Sequence, residues 1–233
     1  MSRNRLLLLA GAVGVAAVVV VVLVALGGGS DSKGVGAAST AATREPVERS
    51  FLAGVQQHGD TLGSPSAPAT LAVYEDPQCP YCREWALQTL PSVVADYVRT
   101  GRLKLVYRGI QIIGPNSEQG LRAIYAAGRQ NKLWNVADAL YRRQGAENSG
   151  WITPAVIAEA AVSAGARPAP IRAAADTAAV TADLRAAARQ AMVDRVQGTP
   201  TFVLQRAPAL PQQLQVTALD AATFESELAA ALQ

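Results

Sequence analysis

The feature that most constrains the fold is a buried-strand pattern followed closely by two cysteines. Residues Thr70–Tyr74 form an apolar run of the length and composition of a buried β-strand. Cys79-Pro80-Tyr81-Cys82 follows, and a proline suits the first turn of a helix, so Cys79 is expected at a helix N-terminus. Free backbone N–H groups and the helix dipole there lower a cysteine pKa below about 8.5. The pattern therefore predicts a nucleophilic Cys79 and a less exposed, less acidic Cys82 that resolves mixed disulfides.

Two other interpretations of the cysteine pair are open. Cys79 and Cys82 are the only cysteines and His58 the only histidine, which makes three classical zinc ligands where a structural site takes four. A purely structural disulfide across one helical turn closes so short a loop that it constrains little. A redox-active pair is therefore favoured, and neither a metal nor a bound cofactor is expected.

The N-terminus carries an uncharged run of 21 residues, Leu6–Leu26. As a helix this run measures about 31 Å, close to the hydrocarbon thickness of a bilayer. Arg3 and Arg5 precede it, so residues 1–5 are predicted to be cytoplasmic and the rest of this single-pass chain extracytoplasmic. A cleaved signal peptide is the alternative, but the run exceeds the roughly 7 to 15 residues of a signal core. Either way the chain lies where disulfides persist.

Beyond this run, composition separates a linker from a globular domain. Residues 27–43 are mainly Gly, Ser, Ala and Thr, typical of a flexible linker, so the domain is expected to span 44–233. The formal net charge of +3, with basic residues scattered, excludes a nucleic-acid-binding surface.

Hydrophobic periodicity predicts an α/β domain interrupted by helices. An all-helical segment is expected over about 115–196, because apolar residues there recur at helical spacing. The other predicted elements are a helix from Cys79 to Thr100-Gly101, strands at Leu103–Arg108, Thr201–Leu204 and Leu214–Thr217, and a final helix capped by Asp220.

Two motifs carry a family resemblance. Tyr74-Glu-Asp76-Pro-Gln-Cys79-Pro-Tyr-Cys82-Arg83, with Gly198-Thr199-Pro200-Thr201-Phe202 downstream, resembles the DsbA-like thiol:disulfide oxidoreductases of the thioredoxin-fold superfamily, of the membrane-anchored bacterial type. The resemblance implies a thioredoxin fold built from residues 44–114 and 197–233, with the helical segment as an insertion.

The resemblance also implies roles for individual residues. Cys79 would attack, Cys82 would resolve, and Pro200 would be a cis-proline facing them. The backbone of Thr199 would then pair with an extended substrate segment, a form of strand addition. The alternative for Thr199-Pro200 is an ordinary proline at the start of a strand.

One departure concerns the proton relay. Thioredoxins place a buried acid six residues before the first active-site cysteine, and here that position holds Val73. Glu75 and Asp76 are nearer candidates to assist proton transfer to Cys82, with Asp76 placed among the residues that tune the site. A solvated carboxylate or a loop-fixing hydrogen bond is the favoured alternative for both.

The second departure lies in the dipeptide between the cysteines. Pro80-Tyr81 would tune the redox potential, but strongly oxidising DsbA proteins have a histidine where this chain has Tyr81. Tyrosine cannot supply a cationic charge, so a less oxidising pair is predicted. Arg83 either adds positive potential or is an ordinary solvated helix residue.

His58, Trp134 and Trp151 are further candidates for the site. His58 precedes the first predicted strand and is predicted to lie in a surface loop rather than to act in catalysis. Trp134 and Trp151 are predicted to pack a helical core rather than to line a groove.

The protein is therefore expected to be a membrane-tethered, monomeric oxidase of cysteines in exported proteins. The resemblance implies that a membrane protein of the DsbB or vitamin K epoxide reductase type reoxidises its cysteine pair. A disulfide reductase or isomerase is an alternative with the same chemistry. A redox-inactive binding or chaperone module, with its disulfide permanently closed, is an alternative of another class.

Overall fold

A six-stranded sheet of order β1-β2-β4-β3-β5-β6 organises residues 50–233, the part of the chain that the computed structural model describes. The strands are β1 Gln57–His58, β2 Thr61–Leu62, β3 Ala69–Glu75, β4 Leu103–Gly109, β5 Thr201–Arg206 and β6 Gln212–Gln213. β3 and β4 are parallel, and the other neighbouring pairs are antiparallel. The predicted strands at β3, β4 and β5 are thereby confirmed.

The predicted helix after Cys79 is present but irregular. It consists of α1 (Pro80–Glu84), a π-helical turn over Trp85–Thr89, α2 (Leu90–Val93) and a second π-helical turn over Val94–Val98. Pro91 lies inside this run and has no N–H to donate one turn back, so the helix widens rather than continuing as a regular ladder. Gly101, at a φ of 73°, ends the predicted segment.

The predicted helical insertion between β4 and β5 is confirmed. Its helices are α3 Asn116–Gly128, α4 Leu133–Arg142, α5 Pro154–Ser163, α6 Pro168–Ala175 and α7 Ala178–Val193. Trp134 is fully buried and its Nε1 donates to the carbonyl of Asp60, while Trp151 is half-buried against the core. Both tryptophans therefore pack as predicted.

The C-terminal segment differs from expectation in one place. The partner strand of β5 predicted at Leu214–Thr217 is wrong in its bounds, because β6 is Gln212–Gln213 and the pairing with β5 ends at Leu214, whose N–H donates to the Phe202 carbonyl. The backbone N–H and hydroxyl of Thr217 donate to the carboxylate of Glu227, which holds this segment against the last helix rather than along β5. That helix, α8 (Ala221–Ala231), begins at Asp220, whose side chain caps it as predicted.

His58 also lies in an element that the sequence did not indicate. It is exposed as predicted, but it belongs to β1 rather than to a loop. Leu62, next to the turn that joins β1 to β2, is fully buried and anchors this short hairpin.

An aromatic cluster holds the cysteine-bearing helical run against the sheet. Trp85 packs on Phe202 of β5 and Phe224 of α8, with ring centroids 4.7 and 4.6 Å away. Because Trp85 follows Cys82 by one helical turn, burying it fixes where the start of α1 meets the sheet.

No helix within residues 50–233 has the length and hydrophobicity needed to cross a bilayer. The predicted transmembrane segment Leu6–Leu26 and the predicted linker 27–43 lie outside the described residues.

Candidate active site

Both cysteines lie where a strand ends and a helix begins. Cys79 is the N-cap of α1, with extended backbone, and Pro80 occupies the first turn. Cys82 lies inside that first turn. The thiols are not joined by a disulfide, and Cys79 is 3 % exposed whereas Cys82 is 0 % exposed. Cys79 is therefore the sulfur that a substrate reaches first.

The two thiols have opposite acidities. The pKa of Cys79 is lowered to about 6, first by a hydrogen bond from the Cys82 thiol, against a smaller opposing effect of burial. Thr199 and the backbone N–H groups of Cys82 and Tyr81 lower it further. Burial and the same bond to Cys79 raise the pKa of Cys82 well above its ordinary value. At neutral pH the pair therefore consists of a Cys79 thiolate and a fully buried Cys82 thiol.

The second motif lies directly against the first. The Thr199-Pro200 peptide bond is cis, as the family resemblance implies. Cys79 Sγ lies 3.2 Å from the carbonyl oxygen of Thr199, although the two residues are 120 positions apart. The buried Thr199 hydroxyl has no partner of ordinary hydrogen-bond geometry within residues 50–233, yet it contributes to the lowered pKa of Cys79. The Thr199 hydroxyl therefore helps to stabilise the Cys79 thiolate.

Asp76 fixes the loop before the cysteines. It is fully buried; its Oδ1 accepts from the Gln78 backbone N–H and the Ser117 hydroxyl, and its Oδ2 accepts from the backbone N–H groups of Ile112 and Ile113. These bonds occupy both carboxylate oxygens. The loop-fixing hydrogen bonds that were the alternative for Asp76 are therefore what the structure shows, and tuning of the site by Asp76 stays a prediction.

The insertion supplies further loop contacts that sequence reasoning missed. Gln144, just after α4, donates to the carbonyls of Pro77 and Cys79 at 2.9 and 3.0 Å. Gln78 is fully buried and accepts from the backbone N–H of Asn148. No local pattern marks these residues, because each acts only after the insertion folds back over the cysteine loop.

Tyr81 and Arg83 project from the first turn of α1 in different ways. Tyr81 is 62 % exposed and presents an aromatic ring beside Cys79. Arg83 is exposed, but its Nε donates to the carbonyl of Tyr141 at 3.1 Å. Arg83 therefore ties α1 to α4, a role that neither alternative from the sequence included.

Metal-ligating side chains are not gathered anywhere in the described part of the chain. Within residues 50–233, no three His, Cys, Asp or Glu side chains are arranged to hold a metal ion. The chemistry that this arrangement supports is thiol–disulfide exchange through Cys79.

Comparison with known proteins places this geometry in a family. Residues 56–209 match the model of the family described as Thioredoxin. The probable disulfide bond formation protein D of Bacillus cereus is 32 % identical over 95 residues, which cover 40 % of this chain and 44 % of that protein. The chain thus matches less than half the length of this curated relative.

Solved structures extend the similarity in fold. Oxidised BdbD from Bacillus subtilis aligns with a TM-score of 0.64 at 18 % identity, covering 76 % of this chain and 97 % of that one. DsbA from Chlamydia trachomatis aligns with a TM-score of 0.60 at 19 % identity, covering 75 % and 90 %. The chain therefore belongs to the thioredoxin family, and its fold is that of the DsbA-like thiol:disulfide oxidoreductases.

Proposed function

We propose that the protein is an extracytoplasmic thiol:disulfide oxidoreductase that oxidises cysteine pairs in exported proteins. The observation that carries this proposal is the Cys79 thiol, whose pKa is lowered to about 6, lying 3.2 Å from the Thr199 carbonyl of the cis-proline loop. A stable thiolate at this position favours the reduced form of the pair, and a stabilised reduced form makes a disulfide oxidising.

The oxidation proceeds by two displacements. A substrate thiolate attacks Cys79 Sγ of the disulfide form, the Cys79–Cys82 bond breaks, and its electron pair passes to Cys82. A second substrate thiolate then attacks the substrate sulfur of the mixed disulfide, and Cys79 leaves as a thiolate. The substrate has lost two electrons and the enzyme has gained them. The low pKa of Cys79 speeds the second displacement, because more acidic thiols are better leaving groups.

Substrate binding is proposed at the cis-proline loop. The backbone of Thr199, beside Cys79, would pair with an extended segment of the client and hold its cysteine in line. The exposed ring of Tyr81 offers an apolar contact on the other side of Cys79. Recognition through the backbone suits an enzyme that must accept many client sequences.

The proposal includes a membrane location and a recycling partner. The apolar run Leu6–Leu26 would anchor the chain, with the catalytic domain outside the membrane. Each cycle leaves two electrons on Cys79 and Cys82, so a membrane oxidant of the DsbB or vitamin K epoxide reductase type would remove them. No nucleic acid takes part, and the active unit would be a monomer.

A mixed-disulfide trap tests this function. Cys82→Ser, expressed in the native host, is expected to accumulate exported multi-cysteine proteins linked to Cys79. The matched control is the double variant Cys79→Ser, Cys82→Ser, which should capture nothing. Capture of a cytochrome or of a dedicated thiol carrier would indicate a reductase. A wild-type chain that never exchanges with a dithiol peptide would indicate a binding module.

A further inference from the structure

A buried carboxyl without a partner lies at the end of β3. Glu75 is 1 % exposed, and its Oε1 has no hydrogen-bond partner among the described residues. An ionised carboxylate in such a place is costly, because nothing replaces the water it has lost. Burial first, and then the nearby Cys79, raise the pKa of Glu75 well above its ordinary value. The raised pKa favours the protonated form of Glu75.

Glu75 is the last residue of β3, the strand that leads into the cysteine loop. Side chains alternate along a strand, so Val73 and Glu75 share one face of β3, and Glu75 lies nearer the cysteine loop. Tyr107 of β4 is the register partner of Val73 and shares that face. Glu75 therefore lies on the same face of the sheet as Val73 and Tyr107, at the end of β3 nearest the cysteines in the chain.

Four titratable groups lie within electrostatic range of Glu75. They are Cys79 and Cys82 at the start of α1, Tyr107 on β4 and Tyr141 on α4. The Tyr107 hydroxyl is also buried and without a partner in residues 50–233. The Tyr141 hydroxyl is already committed to the Asp76 carbonyl. Two of these groups have an unpartnered oxygen among the described residues, the Glu75 carboxyl and the Tyr107 hydroxyl. A carboxyl is intrinsically a far stronger acid than a phenol, so Glu75 is the group that can give up a proton.

Asp76 and Glu75, the two candidate proton donors, differ in their hydrogen bonding. Both oxygens of Asp76 accept hydrogen bonds, from the backbone of Gln78, Ile112 and Ile113 and from the Ser117 hydroxyl of α3, so neither oxygen is unpartnered. Glu75 has an oxygen with no partner in the described chain and lies within electrostatic range of both thiols.

We propose that Glu75 is the acid that protonates Cys82 when the Cys79–Cys82 disulfide opens. A substrate thiolate bonds to Cys79 Sγ, the S–S bond breaks, and the electron pair resides on Cys82. The Glu75 carboxyl gives its proton to that sulfur and becomes a carboxylate; the proton returns when the disulfide is formed again. The step matters because Cys82 is fully buried and its pKa is raised, so an unprotonated leaving sulfur would be poorly stabilised.

The test compares two buried acids in the full-length protein. Glu75→Gln keeps the shape but carries no transferable proton. Asp138→Asn is the matched control, because Asp138 on α4 is also buried with an unpartnered oxygen in the described chain. Opening of the disulfide form by a dithiol peptide, followed in stopped flow across pH, is expected to be slower by on the order of 10²-fold in Glu75→Gln and unchanged in Asp138→Asn.

The pH profile distinguishes an acid from a structural residue. In wild type the opening rate should fall as Glu75 loses its proton at high pH, and Glu75→Gln should lack that fall. Alkylation of reduced Cys79 should stay close to the wild-type rate in Glu75→Gln. A wild-type opening rate in Glu75→Gln would overturn the proposal. The proposal would also be overturned if Glu75→Gln lowered the opening rate equally at every pH and also slowed the alkylation of Cys79.

A second measurement uses the wild-type protein and needs no substitution. Carbon-13 NMR of the Glu75 carboxyl, in the disulfide form, should show a protonated group at neutral pH; an ionised carboxylate there would overturn the proposal.

The inference rests on the proposed thiol–disulfide exchange but not on the direction of that exchange in the cell. A trap that captured only a thiol carrier would refute the oxidase proposal and leave these peptide measurements decisive for Glu75.

Discussion

Cys79 Sγ and the carbonyl oxygen of Thr199 lie 3.2 Å apart, although 120 residues separate them in the chain. The contact brings the nucleophile at the start of α1 against the cis-proline loop that precedes β5. A client chain paired with the loop backbone would therefore present its cysteine at the sulfur without any rearrangement of the site.

Removing the Cys82 thiol should make Cys79 less acidic. The hydrogen bond from Cys82 is the largest cause of the lowered pKa of Cys79, so Cys82→Ala should raise that pKa from about 6 to between about 7 and 8. Cys82→Ser keeps a donor and should raise it less. Thiolate absorbance against pH, supported by alkylation rates, measures both variants, and an unchanged value in Cys82→Ala would contradict the prediction.

The reduction potential should lie between those of thioredoxin and DsbA. A pKa of about 6 for Cys79 falls between the values of about 7 and about 3.5 for the nucleophilic cysteines of those proteins. Because thiolate stability sets the oxidising power of such a pair, the potential should lie between about −270 and −120 mV. Equilibration with glutathione measures it. A value near −120 mV would contradict the weaker oxidant predicted from Tyr81.

Cys79 should make the reduced protein more stable, relative to a Cys79→Ser variant, as pH rises. The pKa of Cys79 is about 6 in the folded state and near 9 otherwise, so between these values the unfolded chain binds more protons. The stabilisation is complete above the unfolded pKa and is lost as pH falls through about 6. It should reach up to about 3 kcal/mol in urea unfolding. Cys79→Ser retains every other titrating group, so the difference between the two chains isolates Cys79.

Asp76→Ala should destabilise the fold and disorder the cysteine loop. The substitution leaves buried donors from Gln78, Ser117 and the 112–113 backbone without an acceptor, at a cost of about 3 kcal/mol or more. Denaturant unfolding measures the loss. Asp220→Ala removes only the exposed cap of α8 and should cost less. Equal losses in the two variants would show that the Asp76 network is not what holds the loop.

Much of the fold could be predicted because its signals are local. β3 alternates buried positions over a few residues, and Cys79-Pro80 marks the start of α1 within one turn. The same kind of signal misled at Leu214–Thr217, where an apolar alternation suggests a strand. A contact between Thr217 and Glu227, ten residues later, holds that segment against α8. A competing contact of this kind leaves no trace in the local pattern.

The acidity of Cys79 follows in part from its neighbours in the chain, because the helix-start N–H groups that stabilise a thiolate belong to the next few residues. Amino-acid order is therefore enough to indicate the nucleophile. It does not show that both oxygens of Asp76 accept hydrogen bonds while Glu75, one residue away, is buried with an oxygen that has no partner in residues 50–233. Folding makes that distinction, because burial and hydrogen-bond saturation depend on groups from β4, α3 and α4 that meet the cysteine loop only in three dimensions.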